Sequence, residues 1–184
     1  GFQIMNFPRN GIRVDGQGNT IGGSRDAGLG PLGEGNVLIG SGVAGLHLLG
    51  WGNNVVQGNY IGLAADGDSV VSNENGVIAC CQTKDNLIGG DTLDTHNVIA
   101  GNTWVGVHIE HAGTYDNVVA GNLIGTDATG AVPRPNGDVG VLINAGARRN
   151  TIGGSAAGQG NTISGNDGDG LRISGSDTMS NVVT

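Results

Sequence analysis

The sequence predicts an all-β solenoid, a rod of about six stacked coils with three short parallel strands in each coil. Three observations predict it: an internal repeat, short β-branched runs separated by glycine and asparagine, and variable loops confined to fixed positions. Of its 184 residues 38 are glycine and only 3% are aromatic, so large rings cannot fill a broad core. Small aliphatic side chains can still fill a narrow cylinder whose backbone groups pair between coils.

The repeat unit is 64 residues long. NLIGG from Asn86 recurs as NTIGG from Asn150, and NVIAGN from Asn97 recurs as NTISGN from Asn161, each pair 64 positions apart. A recurring four-residue motif divides this unit into two coils: a glycine, an apolar residue, any residue and a second apolar residue. These glycines lie 30 to 34 residues apart, at Gly11, Gly45, Gly76, Gly106, Gly140 and Gly170. Each interval holds three β-branched runs, which is one coil of three strands.

The longer loops fall at two alternating corners. One set follows the IGG strand, at 24–35, 91–96 and 155–160, and the other follows the third strand of alternate coils, at 63–75 and 126–139. Constant strands with variable loops at fixed corners are typical of solenoids. We therefore expect residues 1–184 to form a single β-helix domain without caps, a segment of a longer repeat array.

Asparagine recurs where strands begin. Its side-chain amide can bond to the amides stacked above and below it, and asparagine tolerates the left-handed conformation of a sharp corner. We predict one ladder through Asn19, Asn54, Asn86, Asn117, Asn150 and Asn181. A second ladder is predicted through Asn36, Asn59, Asn97, Asn122 and Asn161.

The NTIGG, NTISGN and GVHI motifs, in a unit of 64 residues, resemble the right-handed parallel β-helix proteins of the pectate-lyase-like superfamily. They resemble more closely the large repetitive exported proteins of bacteria. The resemblance covers essentially the whole chain. It implies a bacterial-type extracellular or cell-surface location, and right-handed winding agrees with the general preference of parallel crossovers. It leaves activity open, because the superfamily includes lyases, glycosidases and adhesins.

The chain is acidic, with a net charge of −8 and a sequence pI near 4.6. Such a field repels polyanions, so nucleic acid is not an expected partner. No apolar run approaches the length of a membrane-spanning helix, so membrane insertion is not expected either. The expected partners are a glycan, a surface protein, or a second copy that stacks end to end.

The densest polar cluster, and the candidate catalytic group, contains His108, Glu110 and His111. His108 and Glu110 share a strand face, so an acid–base pair or a metal site is conceivable there. The favoured interpretation is that His108 is a solvent-facing strand residue beside a polar corner. Its column of outward residues contains no carboxylate: Arg13, His47, Ile78, His108, Leu142 and Arg172.

Calcium is the one cofactor that the sequence suggests. Asp66 and Asp68 share a corner with Asp127 two coils further on, where calcium could bridge their carboxylates. No dense acidic ligand motif surrounds them, so solvated loop acids are the favoured interpretation.

The two cysteines, Cys80 and Cys81, are adjacent. Successive side chains of a strand point to opposite faces, and a disulfide between neighbours is strained. We therefore expect two free thiols, one of them buried.

The function favoured by these observations is that of a non-catalytic extracellular structural or surface-display β-helix, as a stalk, an adhesin-like rod or a filament. One alternative is a polysaccharide lyase or glycoside hydrolase that acts on a neutral or weakly charged glycan at the face around His108 and Glu110. The other is a calcium-dependent carbohydrate-binding module.

Overall fold

The computed structural model describes residues 3–4, 8–27 and 32–184. These residues form eighteen short strands, which we number β1 to β18 in chain order, and no helix. Every third strand joins the same sheet, so the chain winds through three six-stranded parallel sheets in turn. The predicted all-β solenoid is confirmed. A search of the described residues for a helix of membrane-spanning length and apolarity finds none.

The three sheets form the walls of the solenoid. Sheet A contains β1 (Gln3–Ile4), β4 (Val37–Leu38), β7 (Tyr60–Ile61), β10 (Val98–Ile99), β13 (Leu123–Ile124) and β16 (Thr162–Ile163). Sheet B contains β2 (Asn10–Val14), β5 (Ala44–Leu49), β8 (Asn75–Cys80), β11 (Val107–Ile109), β14 (Val141–Ile143) and β17 (Leu171–Ile173). Sheet C contains β3 (Thr20–Gly22), β6 (Val55–Gln57), β9 (Leu87–Gly89), β12 (Val118–Ala120), β15 (Thr151–Ile152) and β18 (Val182–Val183).

The solenoid makes about 5 turns, slightly fewer than the predicted six. Six strands stacked in each sheet enclose only five intervals, which accounts for the difference. The strands pair in the register that the sequence repeat predicts. In sheet B, Val107 pairs with Val77 on one side and with Val141 on the other, so equivalent motifs of successive coils lie directly over one another.

A column of aliphatic side chains fills the interior. Leu46 of sheet B, Val56 of sheet C and Ile61 of sheet A are all fully buried in one cluster that runs through the stack. Burying each such side chain stabilises the fold by about 1.5–3 kcal/mol. Alternate residues of each strand point inward, as the period of two along a strand requires. Valine, leucine and isoleucine suit these positions because they pack well on a pleated wall.

The first predicted ladder forms a continuous file beside sheet C. From Asn19 to Asn181, each side-chain amide nitrogen donates to the amide oxygen of the next asparagine, at 2.7–3.0 Å. The same oxygens also accept the backbone N–H of the asparagine in the preceding coil. These contacts satisfy side chains that are buried from Asn54 to Asn150, and an unsatisfied buried amide would be costly.

One detail of the ladder prediction is wrong. The asparagines are not themselves left-handed, because the residue before each one makes the corner instead. These preceding residues have φ between 54° and 69°: Gly18, Asn53, Asp85, Asp116, Arg149 and Ser180.

Two further ladders line the other corners. The second runs from Asn36 to Asn161, with amide contacts of 2.9–3.0 Å. A third, which the sequence did not predict, connects Asn73, Asn102, Asn136 and Asn166 at 2.8–2.9 Å. Each corner of the solenoid therefore carries its own file of bonded amides.

Candidate functional site

The corner between sheets B and C brings most of the chemically active side chains together. We call it the B–C corner, comprising residues 50–53, 81–85, 111–116 and 145–149 in successive coils. Its turn begins with a left-handed residue in each coil: Gly50, Cys81, His111 and Ala145, with φ between 50° and 73°. Left-handed backbone is uncommon for residues other than glycine, although histidine adopts it more readily than cysteine. Stacking therefore places Cys81 and His111 at equivalent positions of neighbouring coils.

His108 is not solvent-facing, contrary to the favoured interpretation of the sequence. Only 3% of its surface is exposed. Its register partners Ile78 and Leu142 lie on either side of it in sheet B. The ring of Trp104 approaches edge-on, with the ring centroids 5.4 Å apart. Ile78, Leu142 and the indole of Trp104 together shield His108 from water, although its side chain points away from the core.

The candidate catalytic residues do come together, although not as hydrogen-bonded pairs. Glu110 Oε2 lies 3.7 Å from Nε2 of His108 and 3.7 Å from Nε2 of His111. Both separations exceed a hydrogen bond. The true partner of His108 Nε2 is Asn144 Oδ1, at 3.1 Å. Glu110 thus lies between the buried imidazole of His108 and the exposed imidazole of His111, and it forms a hydrogen bond with neither.

Cys80 and Cys81 are both free thiols, as predicted, with Cys80 buried and Cys81 exposed. Burial raises the pKa of the Cys80 thiol well above its usual range, and a hydrogen bond with Cys81 contributes to the shift. His47, in the preceding coil, places Nε2 3.2 Å from Cys80 Sγ. Burial, reinforced by the charge of Arg13, lowers the pKa of His47, so this imidazole favours its neutral form.

A surface groove of about 710 Å³ follows the B–C corner across three coils. It is lined by Gly50, Trp51, Gln82, Lys84, Ala112, Gly113 and Tyr115. Trp51 is 64% exposed. The Tyr115 ring is flanked by two cations, with Lys84 Nζ 5.5 Å and Arg149 Cζ 4.7 Å from its centroid. Trp51 was not predicted as a site residue from the sequence, where its one signal is a large aromatic side chain at a turn in a chain with few aromatic residues.

The acidic candidates for calcium are engaged within their own loops. Asp66 accepts hydrogen bonds from the Ser69 hydroxyl and from the backbone N–H groups of Asp68 and Ser69, which lower its pKa to about 2. Asp68 forms an ion pair with Arg134. Hydrogen bonds thus stabilise the Asp66 carboxylate as a turn cap, the role that aspartate often has in loops.

Asp127 has the same role in the equivalent loop two coils on. Its burial acts to raise the pKa, but hydrogen bonds from the Val132 N–H and the Thr129 hydroxyl outweigh it and lower the pKa. Over the described ranges 8–27 and 32–184, Asp66, Asp68 and Asp127 do not form a group with the spacing of metal ligands.

The parallel sheets and their amide ladders define this chain as a parallel β-solenoid. It matches no known protein-family model and shows no significant similarity to any curated protein or solved structure. The class therefore follows from the geometry of the chain itself.

Proposed function

We propose that this chain is a non-catalytic structural segment of an extracellular or cell-surface protein. In this proposal it is a right-handed, pectate-lyase-like solenoid of bacterial type that displays its loops and corner groove on a stiff rod. The observation that carries the proposal is the set of three amide ladders, one at each corner of the stack. Fully satisfied buried polar networks rigidify the structure that contains them.

The energetics of the fold suit a spacer. Each coil contacts mainly its two neighbours, so a solenoid can be extended by adding coils without redesigning the core. At about 4.8 Å per coil, the six strands of each sheet span roughly 25 Å. Five of the seven ion pairs among the described side chains are arginine–aspartate contacts at the surface.

The rival proposal is a lyase or glycoside hydrolase that uses Glu110. A panel of neutral and weakly charged polysaccharides separates the two, with reducing ends and unsaturated products as readouts. We expect no turnover above buffer, and the same result with Glu110→Gln, because no bonded partner positions a proton on this carboxylate. Turnover by the natural chain that disappears in Glu110→Gln would overturn the structural proposal.

The groove supports a second function, which is compatible with a rod: binding of a neutral glycan. The apolar C–H face of a sugar ring packs well on exposed aromatic faces such as Trp51, and the polar ends of Gln82 and Lys84 can meet its hydroxyls. An anionic glycan is less suited to a chain with a net charge of −8.

Affinity electrophoresis in gels that contain these polysaccharides tests this binding function. We expect at least one neutral polymer to retard the natural chain. Trp51→Ala should weaken the affinity for that polymer about tenfold, which corresponds to about 1.4 kcal/mol. Leu93→Ala is the control, since Leu93 is 80% exposed and lies outside the groove. Equal retardation of both variants, or none of the natural chain by any polymer, would refute binding at the groove.

A further inference from the structure

Cys80, Cys81 and His111 converge where the B–C corner begins. Ile109 pairs with Ala79 in sheet B, so the next residues, Glu110 and His111, follow the same stack as Cys80 and Cys81. Both thiol sulfurs and one imidazole nitrogen lie within 4.8 Å of one another. Within the described parts of the chain, no other group of histidine, cysteine or acidic side chains has this mutual spacing.

The convergence depends on the backbone of Cys81. In a regular strand its side chain would point away from that of Cys80. The strand ends at Cys80, and φ of +61° at Cys81 turns the second thiol back toward the first. His111, with φ of +73°, makes the equivalent turn one coil further on and presents its ring to the same point.

We propose that Cys80, Cys81 and His111 form a binding site for a thiolate-preferring transition-metal cation, with Zn²⁺ as the best match. Two sulfurs and one imidazole are among the usual ligands of zinc, at bond lengths of about 2.3 Å and 2.0–2.1 Å. Tetrahedral bonds of that length separate the ligand atoms by about 3.5–3.8 Å. The three ligand atoms lie within 4.8 Å of one another, so side-chain rotation can bring them to that spacing.

The surroundings of the three side chains suit a bound cation. His47 Nε2, 3.2 Å from Cys80 Sγ, can donate a hydrogen bond to the thiolate. Glu110 Oε2 lies 3.7 Å from Nε2 of His111, and its negative charge favours a cation nearby. Cys81 and His111 are exposed, so the fourth position opens to solvent. Two thiolates and a neutral imidazole neutralise the charge of one divalent cation.

Proton release accompanies binding at this site. Each thiol loses its proton as its Zn–S bond forms, and the proton passes to buffer. Because protons are a product of binding, a lower proton concentration favours the bound state, and zinc affinity increases with pH.

Titration of the metal-free chain with Zn²⁺, in a phosphine reductant that keeps both thiols reduced, tests the proposal. Competition with a chromophoric chelator measures stoichiometry and affinity, and Co²⁺ serves as a spectroscopic probe of thiolate ligation. We expect one Zn²⁺ per chain and a thiolate-to-Co²⁺ charge-transfer band. Cys81→Ser and His111→Gln should each weaken zinc binding at least tenfold, and both are exposed positions where the fold tolerates exchange.

His96→Gln is the matched control, because His96 lies in the loop after β9 and outside the three-residue group. It should bind zinc as the natural chain does. The proposal is overturned by the absence of stoichiometric zinc binding, by a Co²⁺ spectrum without thiolate bands, or by equal affinities in Cys81→Ser and His96→Gln. Binding of Cu⁺ without Zn²⁺ would also overturn the assignment to zinc.

Discussion

Replacing Asn117 by aspartate should lower the free energy of unfolding by about 3 kcal/mol or more at pH 7. Asn117 is fully buried, and its amide nitrogen donates to Asn150 Oδ1 and to the backbone oxygens of Thr83 and Tyr115. A carboxylate oxygen in that position faces three acceptors and has no proton to offer. Its other oxygen can still accept from Asn86, so the change removes both N–H donors of the amide while it preserves the shape of the side chain.

The effect of Asn117→Asp should depend on pH. A buried carboxyl that faces oxygen atoms has a raised pKa in the folded chain, so the folded state retains a proton that the unfolded state releases. The loss of stability relative to the natural chain is therefore smaller near pH 4, and it grows as the pH rises from the unfolded pKa through the raised pKa of the folded chain. Urea unfolding followed by far-UV circular dichroism at the two pH values measures it.

Asn53→Asp is the control for this experiment. Asn53 is exposed, and its φ of +56° is one that aspartate also adopts. We expect a change within about 0.5 kcal/mol. Similar unfolding midpoints for Asn117→Asp and Asn53→Asp would contradict the stabilising role of the ladder.

Replacing Gly121 by alanine should destabilise the solenoid by more than about 4 kcal/mol or prevent folding. Gly121 turns the chain between β12 and β13 with φ of +62°. A Cβ atom there would lie 1.8 Å from the backbone oxygen of Gly90 and 2.7 Å from that of Gly158. Backbone on both sides leaves no flexible side chain to move aside, so neighbouring coils would have to separate.

Gly50→Ala isolates the backbone strain from this collision. Gly50 has nearly the same φ, +63°, but nothing lies within 4 Å of its added Cβ atom. Only the left-handed strain remains, at about 1–2 kcal/mol. Thermal and urea unfolding of both variants measures the difference. Equal destabilisation would show that the coils do not approach as closely as the structure places them.

Much of the fold could be predicted from the sequence because its repeats record the stacking directly. The glycine motifs at Gly76, Gly106 and Gly140 begin strands or lie just before them, and those strands pair in register. The third ladder has a weaker signal in the sequence than the other two. Asn102, Asn136 and Asn166 each precede their glycine by four residues, but Asn73 precedes its glycine by three, and Ser41 stands in place of an asparagine four residues before Gly45.

Less of the candidate site could be predicted. The burial of His108 depends on Trp104, which packs on it from a preceding turn that a strand pattern does not include. The convergence of the thiols depends on a positive φ at Cys81, a conformation that cysteine rarely adopts. Strand alternation placed Cys80 and Cys81 on opposite faces, and that rule ceases to apply where the strand ends.

The most direct test of the stacking is a through-space measurement between side-chain amides of the first ladder. Nuclear Overhauser spectra of the ¹⁵N-labelled chain should show cross-peaks between the side-chain amide protons of Asn86 and Asn117, and of Asn117 and Asn150. These residues are 31 and 33 positions apart, and their amide groups are hydrogen-bonded at 2.7 Å and 3.0 Å. Assigned spectra in which these amides show cross-peaks only to sequence neighbours would contradict the solenoid.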